Sequence, residues 1–160
     1  MAKSFLGLVT VDEIRGSLGL DAKDISDAII TSQAPEKDLQ ADLLTWVSTY
    51  QTVISEGAAT TPTSAQTLKY LKLQNYSKYF IAAIFASSGM VSILQSKSDG
   101  KNQGTRFSNV TLKELQLDLE AKAASAKSEL ESLMDPEQLA TYTQFSRVVS
   151  TYDPVTNTGS

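Results

Sequence analysis

Two long segments with helical periodicity, joined by a polar loop, constrain the fold of this chain more than any other feature. Residues 64–95 and residues 112–133 each carry apolar side chains at the three- and four-residue steps of an α-helix. The loop at residues 97–109 contains two glycines and four charged residues, and Phe107 is its one large apolar residue. A long polar loop between helices is uncommon unless it has a function. The sequence therefore predicts an all-α fold, a small helical bundle with two long central helices and a projecting loop.

The two long segments differ in character. The first carries its predicted apolar face at Leu73, Tyr76, Phe80, Ile84, Ser87, Val91 and Leu94, with Ile81, Phe85 and Met90 at the side. The second carries a near-heptad stripe with alanines in its middle, at Leu112, Leu115, Leu119, Ala123, Ala126, Leu130 and Leu133. Thr111 and Glu114 match the capping-box pattern, so we expect the second helix to begin at Leu112.

Shorter helices are predicted in the N-terminal third of the chain. Thr10 and Glu13 match a capping box, and Gly19 is a natural stop for the short helix that it opens. Asp21 is placed to cap a second short helix, in which the apolar side chains of Ile25, Ala28 and Ile29 follow the helical spacing.

A longer third helix should start near Pro35, a residue suited to a first helical turn. Its predicted continuous apolar stripe contains Leu39, Leu43, Trp46, Tyr50, Val53 and Ile54. Trp46 lies in the middle of this stripe, so we expect it in the core; an interface position is the alternative. Gly57 should end the helix, and residues 58–63 have the composition of a linker.

The amino-acid composition argues against most kinds of catalytic site. The chain has no cysteine and no histidine. A disulfide framework, a thiolate metal site, a histidine zinc site and a Ser-His-Asp triad are therefore excluded. A catalyst would need a carboxylate pair or a lysine or tyrosine site, and we see no acidic residue within an apolar stripe. We expect a protein that is not an enzyme and that holds no cofactor and no metal.

Charge and hydropathy bear on the partners and the location of the chain. The net charge of −4 argues against strong binding to a phosphate backbone. Residues 79–96 carry no charge, but serine and glycine dilute their second half, so a core helix is favoured over a membrane span. The apolar run at residues 5–9 is too short for a secretory signal, and we expect a cytosolic protein. The length predicts one domain, at residues 1–147.

The C-terminal residues follow a different pattern. Residues 135–138, Asp-Pro-Glu-Gln, either kink the second long helix or cap a new one, and Leu139, Tyr142 and Phe145 give a short apolar side. From residue 148 onward the chain has β-branched and aromatic residues, an Asp-Pro break and a small polar end. We expect residues 148–160 to form an extended arm.

The order of these parts resembles the head–tail connector (adaptor) proteins of tailed bacteriophages. Residues 10–30 match the short helix, the Leu-Gly-Leu break, the acidic turn and the second short helix with which that family often begins. Residues 95–133 match its polar, glycine-containing loop, followed by a helix whose alanine-rich middle ends in Leu-x-x-Leu. The tail at residues 148–160 is the third matching part.

The resemblance implies a homo-oligomeric ring that sits beneath the portal protein and binds a tail component. The ring would line a channel through which DNA passes without specific binding, in the neck of a virion assembled in the host cytoplasm, with no membrane contact. In that family the loop between the long helices often projects, and the C-terminal tail often docks on a neighbouring protein. The corresponding candidate partner-binding residues here are Lys97, Asp99, Lys101, Arg106 and Phe107 in the loop, and Val149, Tyr152, Asp153 and Val155 in the arm.

Other interpretations stay open at this point. The loop could be a passive solvated connection, and the arm a frayed terminus. The whole protein could instead be a monomeric helical-bundle binding module or a secretion-related adaptor, with the apolar face of residues 79–86 as its partner groove.

Overall fold

The structure, a computed structural model, describes residues 5–20, 22, 25–32, 35–88 and 109–134. Within these residues it contains six helices and no strands, which confirms the predicted all-α fold. The helices are α1 (Val11–Leu18), α2 (Asp27–Ser32), α3 (Pro35–Trp46), α4 (Tyr50–Gly57), α5 (Ser64–Ser87) and α6 (Asn109–Leu133).

Helices α5 and α6 form an antiparallel hairpin. Lys72, early in α5, makes an ion pair with Glu129, late in α6. Tyr79, further along α5, meets the ammonium group of Lys122, which lies earlier in α6, at 5.9 Å from the ring centre. The two helices have 24 and 25 residues, so each is roughly 36 Å long.

The predicted apolar stripe of α6 is confirmed where the structure describes it. Leu119, Ala123, Ala126 and Leu130 are buried. Leu115 and Leu133 are half-buried at the two ends of the stripe. The predicted capping box is wrong, because α6 begins at Asn109 and Thr111 lies inside the helix. For the same reason Asn109 belongs to α6 and not to the predicted loop.

Helix α5 occupies the centre of the fold, because α1, α3, α4 and α6 all pack against it. Ile81 and Phe85, which the sequence placed at the side of the helix, are almost completely buried, whereas Ser87 is exposed. Neighbours cover α5 on several sides, so one apolar stripe does not define its buried surface. The helix ends at Ser87, earlier than the predicted residue 95, and residues 89–108 lie outside the described part.

The start of α1 follows the sequence, but the start of α2 does not. The Thr10–Glu13 capping box is present, and Gly19 ends α1 with a left-handed φ of 66°. The sequence predicts that Asp21 caps α2, but α2 begins six residues later, at Asp27. Asp21 itself lies outside the described residues. Arg15 gives the physical reason. Its buried guanidinium donates to the carbonyl of Ile25 at 2.9 Å and to the Asp27 carboxylate, which holds these residues around it before the helix starts.

The predicted long third helix is in fact two helices. Helix α3 begins at Pro35 as expected but ends at Trp46, and α4 starts at Tyr50. Ser48 and Thr49 lie at the break, where the Tyr50 N–H donates to the Val47 carbonyl, three residues back, at 3.0 Å instead of to the carbonyl four residues back as in a continuous α-helix. Trp46 and Tyr50 are both buried on the two sides of the break. The predicted stripe is therefore buried as expected, although two helices carry it instead of one.

The N-terminal residues form a left-handed turn that the sequence did not predict. Phe5, Leu6 and Gly7 have φ values of 54°, 59° and 74°. This conformation costs non-glycine residues roughly 1–2 kcal/mol each. The turn buries Phe5 and Leu8, and the backbone is fixed by bonds from the Leu6 N–H to Glu36 and from the Gln74 amide to the Leu8 carbonyl. Burial of the two apolar side chains offsets the backbone strain.

The link from α4 to α5 depends on a close approach at Gly57. A Cβ atom at this position would overlap the side-chain stem of Tyr70 on α5. Residues 58–63 then form the predicted linker. A second capping box, between Thr63 and Gln66, starts α5 at the predicted residue, and this cap is not among the sequence predictions. Gly57 therefore ends α4 as predicted, and the close contact with Tyr70 also requires a residue without a Cβ atom at this position.

We predict that Gly57→Ala destabilises the protein by about 1–3 kcal/mol, because the added methyl group overfills the contact with Tyr70. Gly16→Ala is the matched control. Gly16 is an exposed position of α1 with nothing near its missing Cβ, so alanine should stabilise by about 0.5–1 kcal/mol. Urea unfolding of both variants measures the two changes. Equal effects of the two substitutions would show that α4 and α5 do not approach closely at Gly57.

Candidate functional site

The partner-binding residues that the sequence predicted cannot be placed in the fold. The loop residues Lys97, Asp99, Lys101, Arg106 and Phe107 lie outside the described residues, as do the arm residues Val149, Tyr152, Asp153 and Val155. The predicted loop function and the predicted arm function therefore stay predictions. The described surface offers a different site, on one side of the α5–α6 hairpin.

An open groove of about 340 Å³ runs between α5 and α6. Its walls are Tyr76, Phe80, Ala83, Ile84 and Ser87 from α5, and Glu120, Ala123, Ala124 and Lys127 from α6. The groove is mostly apolar along its length and has charged side chains only on the α6 rim. We call it the hairpin groove.

Small side chains create the hairpin groove. Ala123 and Ala124 on α6 face the larger Phe80 and Ile84 on α5, so the α6 wall does not fill the space opposite them. Phe80 and Ile84 are consequently half-buried instead of fully buried. Covering the exposed part of these side chains with another apolar surface would be favourable, since burial of apolar surface stabilises by about 25 cal/mol per Å².

A polar and aromatic cluster closes one end of the groove. The indole N–H of Trp46 and the hydroxyl of Tyr76 both donate to the same carboxylate oxygen of Asp42, the former at 2.9 Å. The Trp46 and Tyr76 rings meet edge to face, with centres 5.0 Å apart and planes at 78°. The Tyr76 ring in turn contacts Phe80 at 5.6 Å. The cluster thus ties α3 to α5 and fixes the orientation of the first groove residues.

A cation from α6 completes the cluster. The ammonium group of Lys127 lies 4.7 Å from the centre of the Trp46 ring, within the range of a cation–π interaction. Glu120, two turns earlier on the same helix, marks the other end of the groove rim and accepts a hydrogen bond from Gln116 at 2.7 Å. The rim therefore presents a positive charge at one end and a negative charge at the other.

Trp46 is 7% exposed, which confirms its predicted core position. Asp42 lies beside the apolar stripe of α3 and not within it, yet it is half-buried against Trp46 and Tyr76. The four-residue spacing of Asp42 and Trp46 on one helix could have revealed this pair, since an indole N–H seeks an acceptor when buried. Burial first, and then the hydrogen bond to Asp42, raise the pKa of Tyr76 well above its ordinary value.

The opposite side of the hairpin is a polar cleft. It is lined by Lys72, Asn75, Tyr79, Lys122, Ser125, Ala126 and Glu129. The hydrogen bond from Lys72 lowers the pKa of the Glu129 carboxyl, and the hydrogen bond to Asp118 raises the pKa of Lys122. Charged side chains pair with one another on this side, so the hairpin groove is the more apolar of the two sides of the hairpin.

Four leucines in the described part of the chain are notably exposed, by 41–54% of their surface: Leu44, Leu68, Leu71 and Leu117. Leu68 and Leu71 are three residues apart on α5 and share a face. Leu117 lies on α6, one turn before the groove residue Glu120. Isolated exposed leucines are ordinary, but the pair Leu68 and Leu71 and the single Leu117 lie on one hairpin, where another protein can contact them.

No group of potential metal ligands occurs in the described part of the chain. Nor does any helix there combine the length and the apolar character needed to cross a bilayer. Comparison with protein-family models, with curated proteins and with solved structures finds no match. The geometry of the hairpin is thus the main guide to function.

We predict that the stability of the protein falls as the pH rises above about 10, and that Tyr76→Phe removes part of this fall. The folded state keeps the Tyr76 proton while the unfolded chain loses it, so unfolding becomes more favourable by up to about 1.4 kcal/mol per pH unit. Below the ordinary tyrosine pKa this contribution is fully present. Urea unfolding at a series of pH values gives both slopes. Identical slopes in the two proteins would show that Tyr76 ionises as easily in the folded state as in the unfolded chain.

Proposed function

We propose that this chain is a structural assembly subunit, a head–tail connector that joins the portal to the tail as a ring of identical copies. The observation that carries the proposal is the placement of exposed leucines at opposite ends of the α5–α6 hairpin. The resemblance in the order of elements supplies the particular assembly, and the all-α bundle is consistent with it.

The spacing of the leucines follows from the pairing within the hairpin. The contacts of Lys72 with Glu129 and of Tyr79 with Lys122 place Leu117 level with Ile84. Leu71 is thirteen residues before Ile84, a distance of roughly 20 Å along the helix axis. The two sets of exposed leucines are thus separate patches on one rigid element.

Two separate patches suit a ring better than a two-fold dimer. A closed ring uses heterologous contacts, in which one patch of each copy binds a different patch of the next copy. A two-fold dimer needs only a single self-complementary patch. We therefore assign the Leu68–Leu71 patch and the Leu117 patch to the two sides of the contact between neighbouring subunits.

The remaining parts of the proposal concern the partners. The ring would bind the portal protein and a tail component through the loop that precedes α6, at residues 97–108, and through the arm at residues 148–160. The net charge of −4 is compatible with a channel that lets DNA pass without gripping it. The protein would be assembled in the host cytoplasm and would end in the neck of the virion.

A monomeric binding module is the second candidate, and the hairpin groove favours it. The sequence places the partner groove of such a module at residues 79–86. Of these residues, Phe80 and Ile84 line the hairpin groove, whereas Ile81 and Phe85 are buried in the core. Negative-stain images of the purified protein, alone and mixed with a portal, separate the two functions. Rings support the connector, and monomers under both conditions support the module.

We predict that Leu71→Glu and Leu117→Glu each abolish ring formation without unfolding the protein, because each places a negative charge in one side of the contact. An equimolar mixture of the two variants should form heterodimers, since each retains one intact patch and the intact patches are complementary. Native mass spectrometry distinguishes the species. Lys113→Glu, a charge change at another exposed position of α6, is the control and should leave the rings intact.

Rings formed by either leucine variant alone would contradict the assignment of the two patches. A mixture that stays monomeric would contradict the heterologous contact.

A further inference from the structure

We propose that residues 135–147, the segment that follows α6, fold back as a short helix into the hairpin groove of the same chain. The occupant of the groove is thus part of this protein. The inference goes beyond the proposed ring and does not rest on it. It competes with the monomeric binding module, because both place an occupant in the same groove.

The groove has the chemistry of a site for an amphipathic helix. Phe80 and Ile84 offer half-buried apolar surface, and Ala123 and Ala124 leave room above the α6 backbone. A groove between two helices with this lining accepts the apolar face of a third helix. A small ligand with many polar groups would lack partners, because charged groups line only the α6 rim.

The segment after α6 has the matching sequence. Helix α6 ends at Leu133, so Asp135-Pro136 follows a completed helix. Asp135 is a favourable N-cap, Pro136 is suited to the first helical position, and Gln138 completes a capping box. The apolar residues that follow are Leu139, Tyr142 and Phe145, at the steps of one helical face.

The length of the segment also fits the groove. On α6 the groove extends from Lys127 back to Glu120, and on α5 from Tyr76 to Ser87, so it is roughly 10–16 Å long. A helix with anchors from Leu139 to Phe145 covers about 9 Å between them. A tight turn after Met134 would bring these anchors back along α6 without a long linker.

The charges agree with this antiparallel return. Arg147 lies thirteen residues after Met134, and Glu120 lies fourteen residues before it. A segment that turns back at once therefore places Arg147 about level with Glu120, the negative end of the groove rim. The opposite charges would pair across the two helices and select this direction of the segment.

The covalent connection favours the same chain over a neighbouring one. The segment starts directly after Met134, which is buried in the core at the end of α6. A short tether of this kind gives an effective concentration in the millimolar range, far above the usual concentration of a second copy. The groove should therefore be filled within each subunit, which also fixes the point from which residues 148–160 leave the bundle.

A disulfide experiment in the full-length chain tests the proposal, since the natural sequence has no cysteine. The test protein carries Ala124→Cys, on the groove wall, and Ser146→Cys, on the proposed groove-facing side of the segment. The control carries Ser125→Cys and Ser146→Cys. Ser125 is the next residue of α6 but lines the polar cleft on the other side of the hairpin.

We expect the test pair to form an intramolecular disulfide about tenfold faster than the control pair under mild oxidation, as a docked segment favours one side. Adding Phe145→Asp to the test pair should slow the reaction to the rate of the control, because it removes the apolar anchor next to the cysteine at position 146. Rates are read by gel mobility and mass, and circular dichroism confirms that every variant remains helical.

Equal rates for the two pairs, or no disulfide in either, would overturn the proposal. A disulfide-linked dimer as the main product would also overturn it, because the groove would then hold the segment of a second copy. An unchanged rate with Phe145→Asp would show that the apolar face of the segment does not hold it in place.

Discussion

The packing of α5 against α6 through short side chains is the interaction on which the rest of the structure depends. Ala83 on α5 and Ala123 and Ala126 on α6 are buried in or beside this seam. The distance between packed helices depends on the side chains at their contact, so alanines allow a close approach. Because α1, α3 and α4 also pack on α5, the N-terminal half of the fold is built against the hairpin.

The same short side chains produce the candidate site. Alanines bring the helices together along the seam, but on one side they leave Phe80 and Ile84 without a full cover. The bonds from Trp46 and Tyr76 to Asp42 close one end of the resulting groove and attach α3 to it. Structural packing and the proposed binding surface are therefore consequences of one seam.

Local signals in the sequence predicted which segments are helical and which side chains are buried. They did not predict where each helix starts or whether a long helix is interrupted. The buried stripe of α6, the α1 capping box and the position of Trp46 each depend on near neighbours in the chain, and each was predicted correctly. The delayed start of α2 depends on the buried guanidinium of Arg15, a tertiary contact. The split of the Leu39–Ile54 stripe into α3 and α4 preserves its burial, so periodicity alone could not show it.

The hairpin groove was harder to predict for a similar reason. In the sequence the alanines of α6 only make its apolar stripe narrower. That they open a groove follows from their position opposite Phe80 and Ile84, which the structure shows. Asp42 was missed because it lies beside the apolar stripe of α3 instead of within it. The loop and arm residues that the sequence favoured as partner-binding lie outside the described part of the chain, and they stay predictions.

Native-state hydrogen exchange of the purified protein measures whether the α5–α6 hairpin is the most stable part of the fold. Amide protection follows the free energy of the opening that exposes each amide. The buried turns of α5 around Ile81 and of α6 around Ala126 should exchange last and together, whereas α1 and α2 should exchange earlier, by openings that leave the hairpin intact. Faster exchange in α5 and α6 than in the N-terminal helices would contradict this view, because those helices would then be stable without the hairpin.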